Sequence, residues 1–165
     1  MAYEFYVTIE GKKQGAFKGE SVRKAHEAKI AGLSYQHAIK SPRDVASGQA
    51  SGKRQHGPIT ITKEWGASTP QIFQALCTNE VLTKVLFEFF HTTPDGAEEV
   101  YYKVTLTNAT VSALEYVTGV GESAGSAKTT TDYDTHELEK VSFTYQRIEV
   151  ESLTGKTAAM DDWHQ

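Results

Sequence analysis

Cysteine is almost missing from this chain. Cys77 stands alone among 165 residues, which excludes an intrachain disulfide and a thiolate metal cluster and leaves it the ordinary role of a small core filler. Long apolar runs are missing too. No stretch approaches the roughly 18 apolar residues of a membrane span, so no membrane insertion is expected. The N-terminal MAYEFYVTIEG has neither the basic start nor the apolar centre of a signal peptide. Positive charge is not in excess: 17 Lys and Arg face 21 Asp and Glu, a net charge of −4, which argues against a nucleic-acid binder. These absences predict a chain made and folded in the cytoplasm which, if exported, leaves without a cleaved signal. Residues 1–165 are read as a single domain, large enough to bury a core without staples.

Helix signals are scarce as well, and the one convincing set lies in residues 57–79, GPITITKEWGASTPQIFQALCTN. Ile59 and Ile61 alternate with Thr60 and Thr62, as in a strand with one buried face. Trp65-Gly66 breaks the alternation. Ser68 or Thr69 then caps a helix: with Ser68 as cap, Gln71 completes a capping box, and with Thr69, Pro70 takes the first helical position. Ile72, Phe73 and Leu76 supply an apolar stripe and Asn79 a stop.

Strands are expected on both sides. Tyr3, Phe5, Val7 and Ile9 alternate with polar residues, and residues 11–15 form a turn. Residues 20–30 are polar with weak helical spacing, readable as helix, loop or short strand. Leu33, Tyr35, His37 and Ile39 form a second alternating strand. Residues 40–56, KSPRDVASGQASGKRQH, are nearly devoid of apolar side chains, and so long a loop in a small domain is more often functional than decorative. Val85, Leu86, Phe87, Phe89 and Phe90 predict a strand covered on both faces. Thr93-Pro94-Asp95-Gly96 is a hairpin turn onto Val100, Tyr102, Val104 and Leu106. A further turn is expected at Asn108-Ala109, leading into Val111 and Ala113, and a second long loop at 119–134. In 138–151 the apolar parity switches from Val141, Phe143 and Tyr145 to Ile148 and Val150. That marks a bulge near Gln146-Arg147 or a strand that changes packing partners. About eight strands, two long loops and one helix predict a mainly β fold, a closed or nearly closed antiparallel β-barrel with one flanking α-helix and an extended loop.

Chemical motifs are largely wanting. The six histidines, at 26, 37, 56, 91, 136 and 164, form no metal-binding pair at HxH, HxxxH or HExxH spacing. Gly119, Gly121 and Gly125 are spaced GxGxxxG, with Thr129, Thr130 and Thr131 where a phosphate-binding helix should start. There is no GxSxG elbow. Neither a catalytic site, a metal nor a cofactor is implied.

Two surface features remain. Hydroxyls recur on polar strand faces, at Thr60, Thr62, Thr105, Thr107, Ser112, Ser142 and Thr144; they suit a neutral hydrated wall, or reflect ordinary strand propensity. Lys40, Arg43, Lys53 and Arg54 cluster in the long loop, whereas Glu149, Glu151, Asp161 and Asp162 mark the tail. Complementary patches on different surfaces of a subunit drive head-to-tail association.

Residues 57–79, FEFFHT from Phe87 to Thr92 and FTYQRIEVE from Phe143 to Glu151 resemble the haemolysin-coregulated proteins, the Hcp family, which form the inner tube of the bacterial type VI secretion system. The likeness covers essentially the whole chain, including the long loop and Asp161-Asp162-Trp163. It implies a phage tail-tube-like β-barrel, a homohexameric ring with a wide lumen, and rings stacked into a tube. It also implies effector proteins in that lumen, contractile sheath and spike proteins as partners, and no enzymatic activity or C-terminal effector extension. The stacking loop implied here holds Lys40, Pro42, Arg43, Ser47, Gly48, Ser51, Lys53 and Arg54, facing an acidic counter-surface of Glu149, Glu151, Asp161 and Asp162. Gln71 and Gln74 on the outer helix would face the sheath. Outside the family, a monomeric barrel binding a small ligand is the alternative, and an enzyme using His37, His56 and nearby acids comes third.

Overall fold

The computed structural model describes residues 4–19, 29–118 and 137–162. The expectations placed on Tyr3, segment 20–28, the loop at 119–134, His26, His136, Trp163 and His164 lie outside them.

The described chain opens with strand β1 (Glu4–Gly11), turns at 12–14 as expected, and returns briefly as β2 (Gly15–Ala16). β3 (Ile30–Gly32) and β4 (Ser34–Gln36) follow, then β5 (Ile39–Lys40), which pairs across the long loop with β6 (Gln55–His56). The expected single strand through Leu33, Tyr35, His37 and Ile39 is therefore two fragments, β4 and β5, in different ladders, with Leu33 and His37 outside both. Leu33 is 57% and Ile39 53% exposed, because the chain leaves the barrel at His37 to begin the loop.

β7 (Ile59–Glu64) buries Ile59, Ile61 and Lys63 on one face. The helix α1 (Thr69–Thr78) starts from Ser68 with Pro70 in its first turn and stops at Asn79 in the left-handed conformation, φ 52°. Ser68 makes no side-chain cap bond, and no capping box forms because the Gln71 amide oxygen accepts from the Lys18 N–H at 2.8 Å. The buried side of α1 is Ile72 and Ala75 with Leu76 at its edge. Phe73, 52% exposed, and Cys77 lie four apart on a solvent flank. Neither is core filler, contrary to the expectation: a helix this short covers the sheet with little more than one residue per turn.

β8 (Leu82–Thr92) and β9 (Glu98–Val117) form the long hairpin closed at Thr93–Gly96. β10 (Leu138–Thr144), β11 (Arg147–Ser152) and β12 (Thr157–Asp162) complete the set. β12 was not anticipated; its Thr157-Ala158-Ala159 run has no buried parity to read. Asn108-Ala109 is not a turn. β9 runs through it with Asn108 at φ 51°, and its buried parity flips there from Val104 and Leu106 to Ala109 and Val111. The parallel flip between Tyr145 and Ile148 is the break between β10 and β11. The two breaks face one another: Gln146 N–H donates to Asn108 O at 3.3 Å and Asn108 Nδ2 to Gln146 Oε1 at 3.0 Å. This is the corner at which β9 passes from pairing with β8 and β11 to pairing with β10.

The ladder order β2-β1-β8-β9-β10-β7-β4, with β3 on β1, bends into a barrel. Residues 30–36 span the gap: β3 bonds β1, Leu33 N donates to Thr62 O at 2.7 Å, and β4 bonds β7. The seam of the barrel is thus spanned by a segment that changes partner midway and is not closed by an uninterrupted strand pair. The interior is filled by Val7, Ile9, Ile61, Phe87, Leu106 and Phe143, all essentially inaccessible. Each such side chain contributes roughly 1.5–3 kcal/mol on burial.

Candidate functional site

The feature standing out from the barrel is the loop at 39–56. Its body is solvent-exposed yet internally bonded. Arg43 bridges Ala50, Ser51 N donates to Pro42 O at 2.9 Å, and Asp44 N to Gln49 O at 2.8 Å. Gly48, at φ 71°, donates to Asp44 O at 2.8 Å, and the Asp44 carboxylate accepts from Ala46 N at 3.1 Å and Ser47 Oγ at 2.8 Å. Those bonds favour the charged carboxylate and hold Asp44 below its ordinary value. The turn presents Val45 wholly to solvent, 102% exposed. Lys40, Arg43, Ser47, Gly48, Ser51 and Lys53 are exposed along this arm and Pro42 is half-buried.

The foot of the arm is the least expected part of the molecule. Gly57 N donates to Ala38 O at 2.9 Å, and a Cβ at Gly57 would lie 2.7 Å from that oxygen, so glycine is required where the two arms close. Beneath it, His37 Nε2 lies 2.9 Å and His56 Nδ1 2.7 Å from the Tyr145 hydroxyl. His56 Nε2 meets Asp161 Oδ2 at 2.6 Å. Arg54 closes the chain, donating from Nε to Asp161 Oδ2 at 2.5 Å and from Nη2 to Asp162 O at 2.7 Å. The loop is thereby tied to the β10–β11 corner and to the terminal strand. Burial pushes the Tyr145 phenol up to about 12, so it stays protonated at neutral pH. Burial, then the neighbouring His56, lowers His37; the Arg54 guanidinium and His56 hold Asp161 below the usual carboxylate range.

Arg54 and Asp161 were expected on separate surfaces and instead bind one another within one chain. Glu149 and Glu151 lie along β11, Glu151 in register with Lys103. Gln71 is drawn inward by Lys18, and its carbonyl accepts from Gln14 Nε2 at 3.0 Å, while Gln74 remains exposed. Of the hydroxyls, Thr60 and Ser142 pair at 3.0 Å, Thr144 pairs with Thr110 at 2.9 Å, and Ser112 donates to Ser142 O at 3.2 Å. Thr62 continues that face, whereas Thr105 and Thr107 lie beyond the corner, opposite β8 and β11.

No spacing along the chain points to the His37–Tyr145–His56–Asp161 cluster, since the His37–Tyr145 contact spans 108 positions and the His56–Asp161 contact 105. A signal did exist for a second buried cluster. Lys63 shares the inward parity of Ile59 and Ile61, Glu139 that of Val141 and Phe143, and the two are register partners. Both are 0% exposed and ion-paired. Lys63 Nζ also donates to Glu64 O at 2.7 Å and lies 3.5 Å from Thr69 Oγ1, which donates to Glu139 Oε1 at 3.2 Å and accepts from Gly66 N at 2.9 Å. Glu139 Oε2 is buried with no hydrogen-bond partner. Among the described residues no group of His, Cys, Asp and Glu is arranged to hold a metal.

A mainly antiparallel barrel with one outer helix and a braced projecting arm defines a class of protein that solved structures already contain. The model for the type VI secretion system effector, Hcp, matches residues 6–151. A structure described as an Hcp protein is 28% identical, with TM-score 0.87 over 99% of each chain. The secreted protein Hcp3 from Pseudomonas aeruginosa is 27% identical, with TM-score 0.77 over 99% of this chain and all of that one. The major exported protein of Pseudomonas aeruginosa is 34% identical over 99% of this chain and 96% of its own length. The chain belongs to the Hcp family of the type VI secretion system.

Proposed function

We propose that this chain is the tube subunit of its secretion system: six copies close a ring, rings stack head to tail, and the tube is exported without a cleaved signal. Its role is structural, not catalytic. Support for export comes from the relative described as a major exported protein. The observation that carries the reading is the arm at 39–56, exposed along its length yet braced by its own hydrogen bonds. A preorganised arm loses little conformational entropy on docking to a partner outside its own chain. In the tube it reaches the neighbouring ring with Arg43, Ser47 and Gly48 at its end and Lys40 and Lys53 along its sides. Glu149, Glu151 and Asp162 offer acidic charge to the adjoining ring, while Arg54 and Asp161 hold the arm's angle. The Thr60, Ser142, Thr144 and Thr110 face lines the lumen past effector proteins. Gln74 and the exposed flank of α1 face the sheath, and the spike caps the tube.

A small-ligand barrel would need an open interior, whereas this one is filled by Phe87, Phe143 and aliphatic side chains. Deleting residues 46–52 is expected to leave rings intact and weaken stacking, read by light scattering and negative-stain images of the same fraction. Unchanged tube formation by the deletion variant would refute the arm's role. A monomeric wild-type chain at micromolar concentration would refute the ring.

A further inference from the structure

The polar chain at the foot of the arm has a proton capacity that its geometry sets. Asp161, held in its charged form by Arg54, can only accept a hydrogen bond, so His56 Nε2 must carry a proton. With His56 neutral, its Nδ1 is an acceptor and takes the Tyr145 O–H, and His37 Nε2–H donates to the Tyr145 oxygen. The bonds then run one way, from His37 through Tyr145 to His56. A proton from solvent at His56 Nδ1 reverses them. His56 donates to the phenol oxygen, the phenol proton turns to His37 Nε2, and His37 remains neutral as its other tautomer. Both arrangements keep all three bonds of the chain. With both imidazoles charged, two cations donate to one phenol oxygen, their ring nitrogens within 5.6 Å of each other, and the network works against itself.

We propose that His37, Tyr145 and His56 form a one-proton latch on the extended arm, closed while at most one of the two imidazoles is charged and opened by the second proton. Asp161 braces the far side of His56, whereas among the described residues His37 contacts no such anion and is held toward neutrality by burial and by His56. The other ionisable groups around the latch keep one charge state across this range. Arg54 and, from β11, Arg147 in register with Asp162 are fixed cations. Tyr35, near Tyr145 and Tyr102, is pushed far above its ordinary value by burial and does not titrate in this range. A histidine whose folded value is depressed contributes stability above its ordinary value that is lost as pH falls through the depressed one. The arm is therefore anchored at neutral pH and released by acid.

The test is hydrogen exchange of the amides at the foot, Gly57 and the Ile39–His56 ladder, corrected for intrinsic rate, from about pH 8 to about pH 5, in the full chain and in His37→Gln. The glutamine amide can donate to Tyr145 but cannot gain charge. Wild type should lose protection on acidification and His37→Gln should keep it. Nitrogen-15 histidine spectra of wild type should show the loss of protection following the protonation of His37. Equal loss in both proteins, protection retained by wild type throughout, or loss that does not follow His37 would each overturn the latch. Tyr145→Phe, which deletes the bridge while keeping the ring, should speed exchange at neutral pH by at least several-fold; unchanged exchange would also overturn it. The latch is a property of one folded chain, so its failure is separable from failure of the tube reading, which the deletion variant tests.

Discussion

The pair of strands β7 and β10 is finished at each end by a buried polar cluster, and the two clusters obey different physics. At one end Lys63 and Glu139 are wholly enclosed beside the start of α1, with fixed opposite charges and Thr69 between them. At the other, His56 is enclosed with its side chain 1% exposed, but its partners Asp161 and Arg54 are each about one-third open to water. Water cannot screen the first pair, so losing either partner leaves a bare charge in the interior. The second cluster is half solvated and built on groups that change charge near neutral pH. One end is a stability element; the other is tunable and stands at the root of the arm.

The sharpest way to break this contrast is at the enclosed end. Lys63→Met should cost about 3–5 kcal/mol, because it leaves the enclosed Glu139 carboxylate, whose Oε2 is already unpartnered, without its ion-pair partner. Urea midpoints measure the loss, with m unchanged if the native state stays compact. Adding Glu139→Leu should recover most of it, since an apolar pair of similar volume removes both desolvation penalties. A single variant as stable as wild type would show that the enclosed pair does not hold the fold together.

The corner at Asn108 lies toward the arm end and tests whether that end is rigid in its backbone even where its side chains are tunable. Asn108 holds φ 51°, a conformation that asparagine tolerates and a β-branched residue does not. Asn108→Val should cost about 2 kcal/mol, combining backbone strain with the lost bond to Gln146. Asn108→Gly should cost less, since glycine keeps the left-handed backbone. Equal losses from both would mean that the side-chain bond, and not φ, holds the corner.

These positions also show how far a sequence can be read. The strands with one buried face were legible because Ile59, Ile61, Val141 and Phe143 alternate with hydroxyls, and the same parity places Lys63 and Glu139 inside. The Tyr145–Ile148 parity flip was legible for the same reason. The matching flip at Asn108 was misread as a turn, since an Asn-Ala pair between strands is turn chemistry until its partner strand is known. Cys77 and Phe73 went outward because α1 needs only one narrow stripe. The foot of the arm was illegible: no local period links His37, His56, Tyr145 and Asp161, and only the pairing of strands distant in sequence brings them together. The complementary charges were seen, but Arg54 and Asp161 turned out to serve each other within one chain.

The smallest effect should come from Asp161→Asn. An asparagine can still accept from Arg54, and a pair this open to water contributes little to stability, so the neutral-pH melting temperature should fall only slightly. The pH profile should change more. Two groups at this end tie stability to pH. His37, depressed below its ordinary value of 6.5, contributes above that value and loses its contribution as pH falls through the depressed one. Asp161, also depressed, contributes above its ordinary value of 3.8 and loses its contribution only below it. Thermal melts across the acid range should therefore show two descending limbs in wild type. Asp161→Asn should shrink the lower limb to the part that Asp44 contributes and keep the upper, while Lys63→Met should shift the whole curve down without removing either. If Asp161→Asn instead lowered stability evenly at every pH, the arm end would be a fixed-charge element like the Lys63 end, and the contrast between the two would fail.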